Sequence, residues 1–159
     1  MTMRRKDREV TEFSALKAII DECKVCCVAM QDEEGLYIVP MNFGYEFNGE
    51  QLILYFHSAK AGRKVNVLSK GATVAFEMDC GHGLIADDIA CRNGFTFKSI
   101  IGNGQASLVI DDNEKMKALK LIMLHQTGKD FEMPPAAANA VALFKIESTS
   151  FTGKQRVML

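Results

Sequence analysis

The residues best suited to chemistry lie together at 55–64, the run YFHSAKAGRK. His57 can carry a proton near neutral pH, and Ser58 offers a hydroxyl. Lys60, Arg63 and Lys64 crowd three cations into the same stretch. Tyr55 opens it, at the end of a strand-like pattern that passes into a helix-like one. The first amides of a helix have no internal partners and carry the positive end of its dipole, so a phosphate docks there readily. Ser58 can cap such a helix or donate to a phosphate oxygen. Cations in the first turns oppose the dipole and cost helix stability unless an anion is present. Local conflicts of this kind gather at functional sites. On pattern alone the run reads equally as an ordinary basic, solvated helix face.

Other reactive residue types carry weaker signals. Cys23, Cys26 and Cys27 form one C-x-x-C, with Cys80, His82 and Cys91 further on. The second group lacks the spacing of a zinc knuckle. Cys26 and Cys27 also face opposite ways on a strand, so buried free thiols are the better reading and no metal is expected. His125 falls near the end of a helical stretch, where a cation suits the dipole and a structural role follows. Asp87 and Asp88 read as a solvated turn, and the nine methionines as core filler.

These residues need elements to position them. A helix is expected over 10–22, with Phe13, Leu16, Ile19 and Ile20 on one face and Thr11 or Ser14 as its cap. Residues 25–31 suit a buried strand, and 32–35 (DEEG) a turn. Residues 36–47 read as a strand interrupted by Pro40 and Gly44, which makes it an edge or a bulged strand. Asn48-Gly49 signals a hairpin into a returning strand at 51–57. A helix over 59–69 ends at Lys70-Gly71, and 72–79 is a further strand. Residues 80–94 show no clear period and read as a long functional or mobile loop. Residues 95–110 form a bent strand or strand pair. Asp111-Asp112 starts a third helix, followed by Gly128, an irregular stretch at 133–139 and a last strand at 140–152. Hairpins with helices inserted between them argue for an α+β fold, mainly an antiparallel barrel, closed or split.

The length of 159 residues fits one domain, 1–159, with 1–9 as a flexible basic arm. A net charge of −1 gives the fold no reason to coat nucleic acid. No apolar run approaches the roughly 20 residues that cross a bilayer, and no signal-peptide core is present. A cytoplasmic protein with reduced thiols and no membrane partner is expected.

The run at 55–64 resembles the phosphate-binding segment of the FMN-binding split-barrel superfamily related to pyridoxamine-5′-phosphate oxidase. The resemblance is nearest to its nitroimidazole-resistance branch. Residues 37–43 (YIVPMNF), 74–79 (VAFEMD) and 99–106 (SIIGNGQA) agree with that family in order and spacing. The resemblance implies a split β-barrel homodimer with FMN at the subunit interface. It places Pro40, Met41 and Asn42 along the flavin ring. Tyr55, His57, Ser58, Lys60, Arg63 and Lys64 would surround ribityl and phosphate, and Ser99 would approach from the partner or the floor. Two departures stand out. The chain has no Trp where many relatives carry one before Ser99, so Phe95 or Phe97 takes its place. Its C-terminal stretch holds only Arg156, unlike the arginine-containing segment with which true oxidases grip pyridoxal phosphate.

The implied activity is that of a flavin-dependent oxidoreductase. It would take electrons from a donor such as NADH or NADPH and pass them to a small organic acceptor, a nitroaromatic one if the nearest branch is followed. His57 would then hydrogen-bond the substrate or shuttle a proton, or only support the phosphate loop. A non-catalytic flavin-binding or sensing module is the alternative, as is the same barrel holding haem or a deazaflavin.

Overall fold

Alternating burial in the strands sets the architecture. In β2 (Val25–Asp32), Cys26, Val28 and Met30 are buried while their neighbours are less so. Period-2 alternation of this kind marks a strand with one face on a core. The computed structural model describes residues 3–158. Among them, β1 (Glu9–Val10), β2, β3 (Gly35–Asn42), β4 (Gly44–Asn48), β5 (Gln51–Ser58), β6 (Ala72–Ile85), β7 (Gly94–Leu108) and β8 (Ala142–Arg156) form one sheet. Every pairing is antiparallel. The strand order is β3-β2-β6-β7-β8-β5-β4, with β1 added on β8. β3 comes close to β5 without pairing to it, so the sheet curls into an α+β split barrel that stays open.

The helices are α1 (Phe13–Glu22), α2 (Arg63–Leu68), α3 (Asp112–Thr127) and α4 (Pro135–Ala140). They explain why residues 52–56 are continuously apolar. Leu52, Leu54 and Phe56 join the barrel core with Val28, Phe43, Phe76 and Phe144. Ile53 and Tyr55 face the other way, into a second core with Ala118, Leu119 and Ile122 of α3 and Ala138 of α4. A strand covered on both faces loses its alternation. Gly44 lets α3 lie directly on β4. A Cβ there would sit 2.4 Å from the Ile122 amide nitrogen, which no side chain tolerates.

Several sequence expectations need correction. The first helix begins at Phe13, not residue 10, because Val10 pairs with Gly153 of β8. Glu12 precedes it and no side chain caps it, so neither Thr11 nor Ser14 has that role. The basic arm is held at its far end, where Lys6–Arg8 form a 3-10 turn and Glu9 pairs with Lys154. Met1 and Thr2 of that arm lie outside the described residues, as does Leu159. Residues 36–47 split at Phe43 into β3 and β4, and β3 is indeed an edge strand. The hairpin turn sits one residue late, at Gly49-Glu50, since Asn48 pairs with Gln51. The long loop of 80–94 shortens to 86–93, which includes the 3-10 turn Ala90–Arg92. β6 runs on to Ile85 after a bulge between Cys80 and Gly83, and pairs with β7 through Ile85–Gly94. The helix over 59–69 shrinks to Arg63–Leu68.

Candidate functional site

The segment after β5 leaves the barrel next to the open side between β3 and β5. His57 and Ser58 are the last residues of β5, so their side chains leave it on opposite faces. His57 is exposed and pairs through its backbone with Leu143. Ser58 is buried, and its hydroxyl donates to the Ala59 carbonyl at 2.8 Å. Ser58 therefore does not cap α2. Gly62 holds that position, with φ +132° and ψ 168°, a region open essentially only to glycine. This backbone bend keeps Ala59, Lys60 and Ala61 out of the helix, although alanine and lysine are good helix formers. Lys60 instead lines a cleft of about 280 Å³ with Lys115, Ser69 and Leu143.

The cations diverge from there. Arg63 is clasped by Asp32 in a bidentate pair at 2.8 and 2.7 Å, reaches the Gly35 carbonyl at 3.3 Å, and stacks 4.7 Å over the Tyr37 ring. The Arg63 hydrogen bonds hold the Asp32 carboxyl below its ordinary range. That clasp ties α2 to the β2–β3 hairpin. Lys64, half-buried in the first turn of α2, makes no ion pair among the described residues. The first turn of α2 thus carries no acidic residue and no side-chain cap.

β3 supplies the neighbouring wall. Met41 points into the core at 7 % exposure, while Pro40 and Asn42 sit on the outer face. The Asn42 amide donates to the Lys24 carbonyl at 3.0 Å and to Gln126 at 3.1 Å. As an edge strand, β3 keeps one side of its backbone N–H and C=O groups unpaired. Ser99 lies on the outer sheet face, paired with Asp79 and Lys154. It shares that face with Pro40 and Asn42, since Pro40 continues through Cys27 and Glu77 to Ile101 along the ladder. No hydrogen bond or shared cleft among the described residues joins Ser99 to Lys64.

Tyr55 belongs elsewhere. Its hydroxyl donates to Glu46 at 2.8 Å and lies 3.4 Å from Glu114, whose carboxylate also accepts from Lys145 at 2.9 Å. Burial, reinforced by Glu46, pushes the Tyr55 hydroxyl far up, so it stays protonated. Cys26 is fully buried and Cys27 lies on the outer face, as their alternation requires. Phe95 is exposed and Phe97 half-buried near Arg156, its partner in the ladder.

The sequence reading missed Asp32 and Tyr37 as partners of Arg63. Asp32 lies 31 residues away, and no local pattern announces such a pair. It also missed a cluster between α1, β4 and α3. There the Tyr45 hydroxyl donates to Asp21 at 2.5 Å, Lys17 donates to Asp21 at 2.8 Å, and His125 stacks against Phe43 and Tyr45. Burial and the Asp21 hydrogen bond push the Tyr45 hydroxyl up to about 12.

Known proteins resemble this arrangement. A putative 5-nitroimidazole antibiotic resistance protein from Bacteroides thetaiotaomicron superposes with a TM-score of 0.78 at 31 % identity, over 92 % of this chain and 86 % of that one. The flavocytochrome Anf3 from Azotobacter vinelandii gives 0.78 at 19 % identity, over 99 % and 73 %. A FAD and heme binding protein from Mycobacterium smegmatis gives 0.75 at 16 % identity, over 95 % and 74 %. No curated protein matches the chain. The family model described as pyridoxamine 5′-phosphate oxidase matches residues 13–155. By that match, which spans nearly the whole barrel, the chain belongs to the pyridoxamine 5′-phosphate oxidase family.

Proposed function

We infer that this protein is an FMN-dependent oxidoreductase acting on a small organic acceptor, nitroaromatic in the first instance. The observation that carries the reading is the start of α2. It is cationic, uncapped by any side chain and entered through Gly62, and Lys64 is without an ionic partner among the described residues. A phosphate there would meet free amides, the helix dipole and Lys64 together. The unpaired edge of β3 offers backbone donors and acceptors for the polar rim of a flavin ring, beside Pro40, Met41 and Asn42. FMN, once bound, supplies the hydride and electron chemistry. The chain's own residues bind and orient it. Lys64 takes the phosphate, joined by Arg63 after sharing its guanidinium with Asp32. Lys60 must swing from its cleft beside Lys115, and Ser58 must release the Ala59 carbonyl, to reach the phosphate and ribityl end. The exposed His57 hydrogen-bonds the substrate or carries its proton.

The active form in this reading is a homodimer with FMN at the interface and Ser99 supplied across it. The outer sheet face supports this. Leu36 is 85 % exposed and Ile38 64 %, and Pro40 and Val25 lie on the same face. Contiguous apolar surface of this kind marks an interaction site. Five free cysteines fit a reducing, cytoplasmic setting. No described helix is long and apolar enough to cross a membrane.

The visible spectrum of the purified protein tests the assignment. Oxidised-flavin bands, with FMN released on denaturation, support it. A Soret band moves the reading to haem, and a colourless protein that binds no added FMN ends it. Bleaching by NADH or NADPH under anaerobic conditions, then recolouring by a nitroaromatic, separates an enzyme from a binding or sensing module.

A further inference from the structure

A roomy cleft lies away from the α2 start. It has a volume of about 760 Å³ and opens between α1, β4 and α3. That size is within the range of small-molecule sites, roughly 300–1,000 Å³. Its walls are Phe13, Tyr45, Phe47, Leu121, Leu124 and His125. The rings are already arranged edge to face. Phe13 meets Phe47 at 4.7 Å and 67°, and Tyr45 meets Phe47 at 5.8 Å and 83°. Gly44, pressed on the α3 backbone, fixes the separation of two walls.

The charged groups around this cleft are already engaged within the protein. Lys17 pairs with Asp21, and Glu46 is taken by Lys117 and Tyr55. Lys24 donates to the Asp21 and His125 carbonyls. For the Asp21 carboxyl, burial acts upward, but the hydrogen bonds from Lys17 and Tyr45 outweigh it and leave it ionised. The lining carries two cations, Lys17 and Lys24, and two carboxylates, Asp21 and Glu46, so it offers no net charge to an ionic ligand.

His125 adds a neutral acceptor to this wall. Nε2 of His125 lies 2.7 Å from the Cys23 carbonyl, which only accepts, so Nε2 carries the proton. Burial lowers the basicity of the ring and keeps it neutral. Nδ1 is then a bare acceptor without a hydrogen-bond partner among the described residues. No buried side-chain nitrogen or oxygen there lacks a partner, so Nδ1 is reachable from solvent. We propose that this cleft binds a neutral, planar aromatic molecule carrying an N–H or O–H donor, which stacks among the rings and donates to Nδ1 of His125. This inference is independent of the flavin assignment.

Indole is a suitable probe, with 1-methylindole as the analogue that lacks the donor. Isotopically labelled full-length protein would be titrated with each and followed by amide NMR, with the visible spectrum recorded in parallel to report on any flavin. Indole is expected to shift amides of α1, β4 and the second half of α3. The analogue is expected to bind about tenfold more weakly, the effect of one lost hydrogen bond. Leu124→Trp, at a rim residue 42 % exposed, fills the cleft and should abolish binding. His125→Phe keeps the ring and should make the two probes equal. If that variant does not fold, the analogue and Leu124→Trp still decide. No binding at millimolar indole, shifts mapping elsewhere, equal binding of the two probes to the native chain, or unaltered binding by Leu124→Trp would each overturn the proposal.

Discussion

Two helix starts in this molecule follow strands and lead toward the same end of β5, yet they are built on opposite rules. α3 begins with Asp111, whose carboxylate accepts from the Glu114 amide at 2.8 Å, and Asp112 and Glu114 add negative charge in its first turn. Each choice satisfies an orphan amide or complements the dipole. α2 begins with Gly62, which has no side chain to offer, and places Arg63 and Lys64 where the dipole disfavours them. α1 and α4 also lack a side-chain cap, but among the described α-helices only α2 opens on cations, so it is that charge that sets its start apart. It leaves amides and a positive field to be satisfied from outside, which is the main physical ground for putting a phosphate there.

The largest expected effect follows from removing that field. Arg63→Ala with Lys64→Ala should weaken FMN binding about a hundredfold or more, since each charge-assisted hydrogen bond is worth roughly 1.5–3 kcal/mol. A fluorescence titration with FMN reads it directly. Asp32→Asn alone sharpens the point, because it frees Arg63 from its clasp and should leave affinity equal or better. Unchanged affinity in the double variant would reduce the α2 start to a solvated basic face.

The same contrast explains what was legible in the sequence. α3 was readable from Asp111 to Gly128 because each of its signals is local: a cap, an apolar stripe, a left-handed glycine at φ +71°. β5 was readable because its apolar run is bounded by a turn and by the cationic segment. The identity of 55–64 as a functional candidate was also local, since it is a conflict between neighbouring residues. Its geometry was not. Ala59 to Ala61 look helical, and only the backbone of Gly62 stops them. The partner of Arg63 comes from another hairpin, and the continuation of β6 through 83–85 depends on pairing with β7. The bulge at Cys80–Gly83 breaks the register, so no single period could run through 80–94. The grouping of His125 with Tyr45 and Asp21 likewise exists only once α3 lies on β4.

The second expected effect tests the entry into α2. Gly62→Ala forces a Cβ into a backbone region nearly closed to it, and should cost about 1–3 kcal/mol. Nothing lies within 4 Å of that Cβ, so the cost is conformational rather than steric crowding. Urea unfolding of the flavin-free protein measures it. A neutral result would mean that the bend relaxes freely and that the α2 start is not held in place. Asp111→Ala is the counterpart at α3 and should cost about 1 kcal/mol, typical of a lost cap. That substitution should leave FMN affinity unchanged, which separates a structural helix start from a functional one.

The smallest expected effect concerns the far end of α3. A histidine in the last turn ordinarily gains from being charged, because the dipole's negative end lies there. His125 does the reverse, since burial among Phe43, Tyr45 and α1 lowers its basicity. Its folded pKa lies below the unfolded value of about 6.5. As pH falls through that value, the unfolded chain takes up a proton that the folded chain refuses, so stability falls. The loss levels off once the folded form also protonates. Asp21 contributes in a different window, because its folded pKa is depressed and its share is lost only at more acidic pH. Urea midpoints measured between pH 8 and pH 5 should therefore decline, and His125→Gln should flatten that decline while lowering stability at pH 8. A slope that persists in the variant would place the titrating group elsewhere. It would also remove the reason for treating the ring as a neutral acceptor at the mouth of the aromatic cleft.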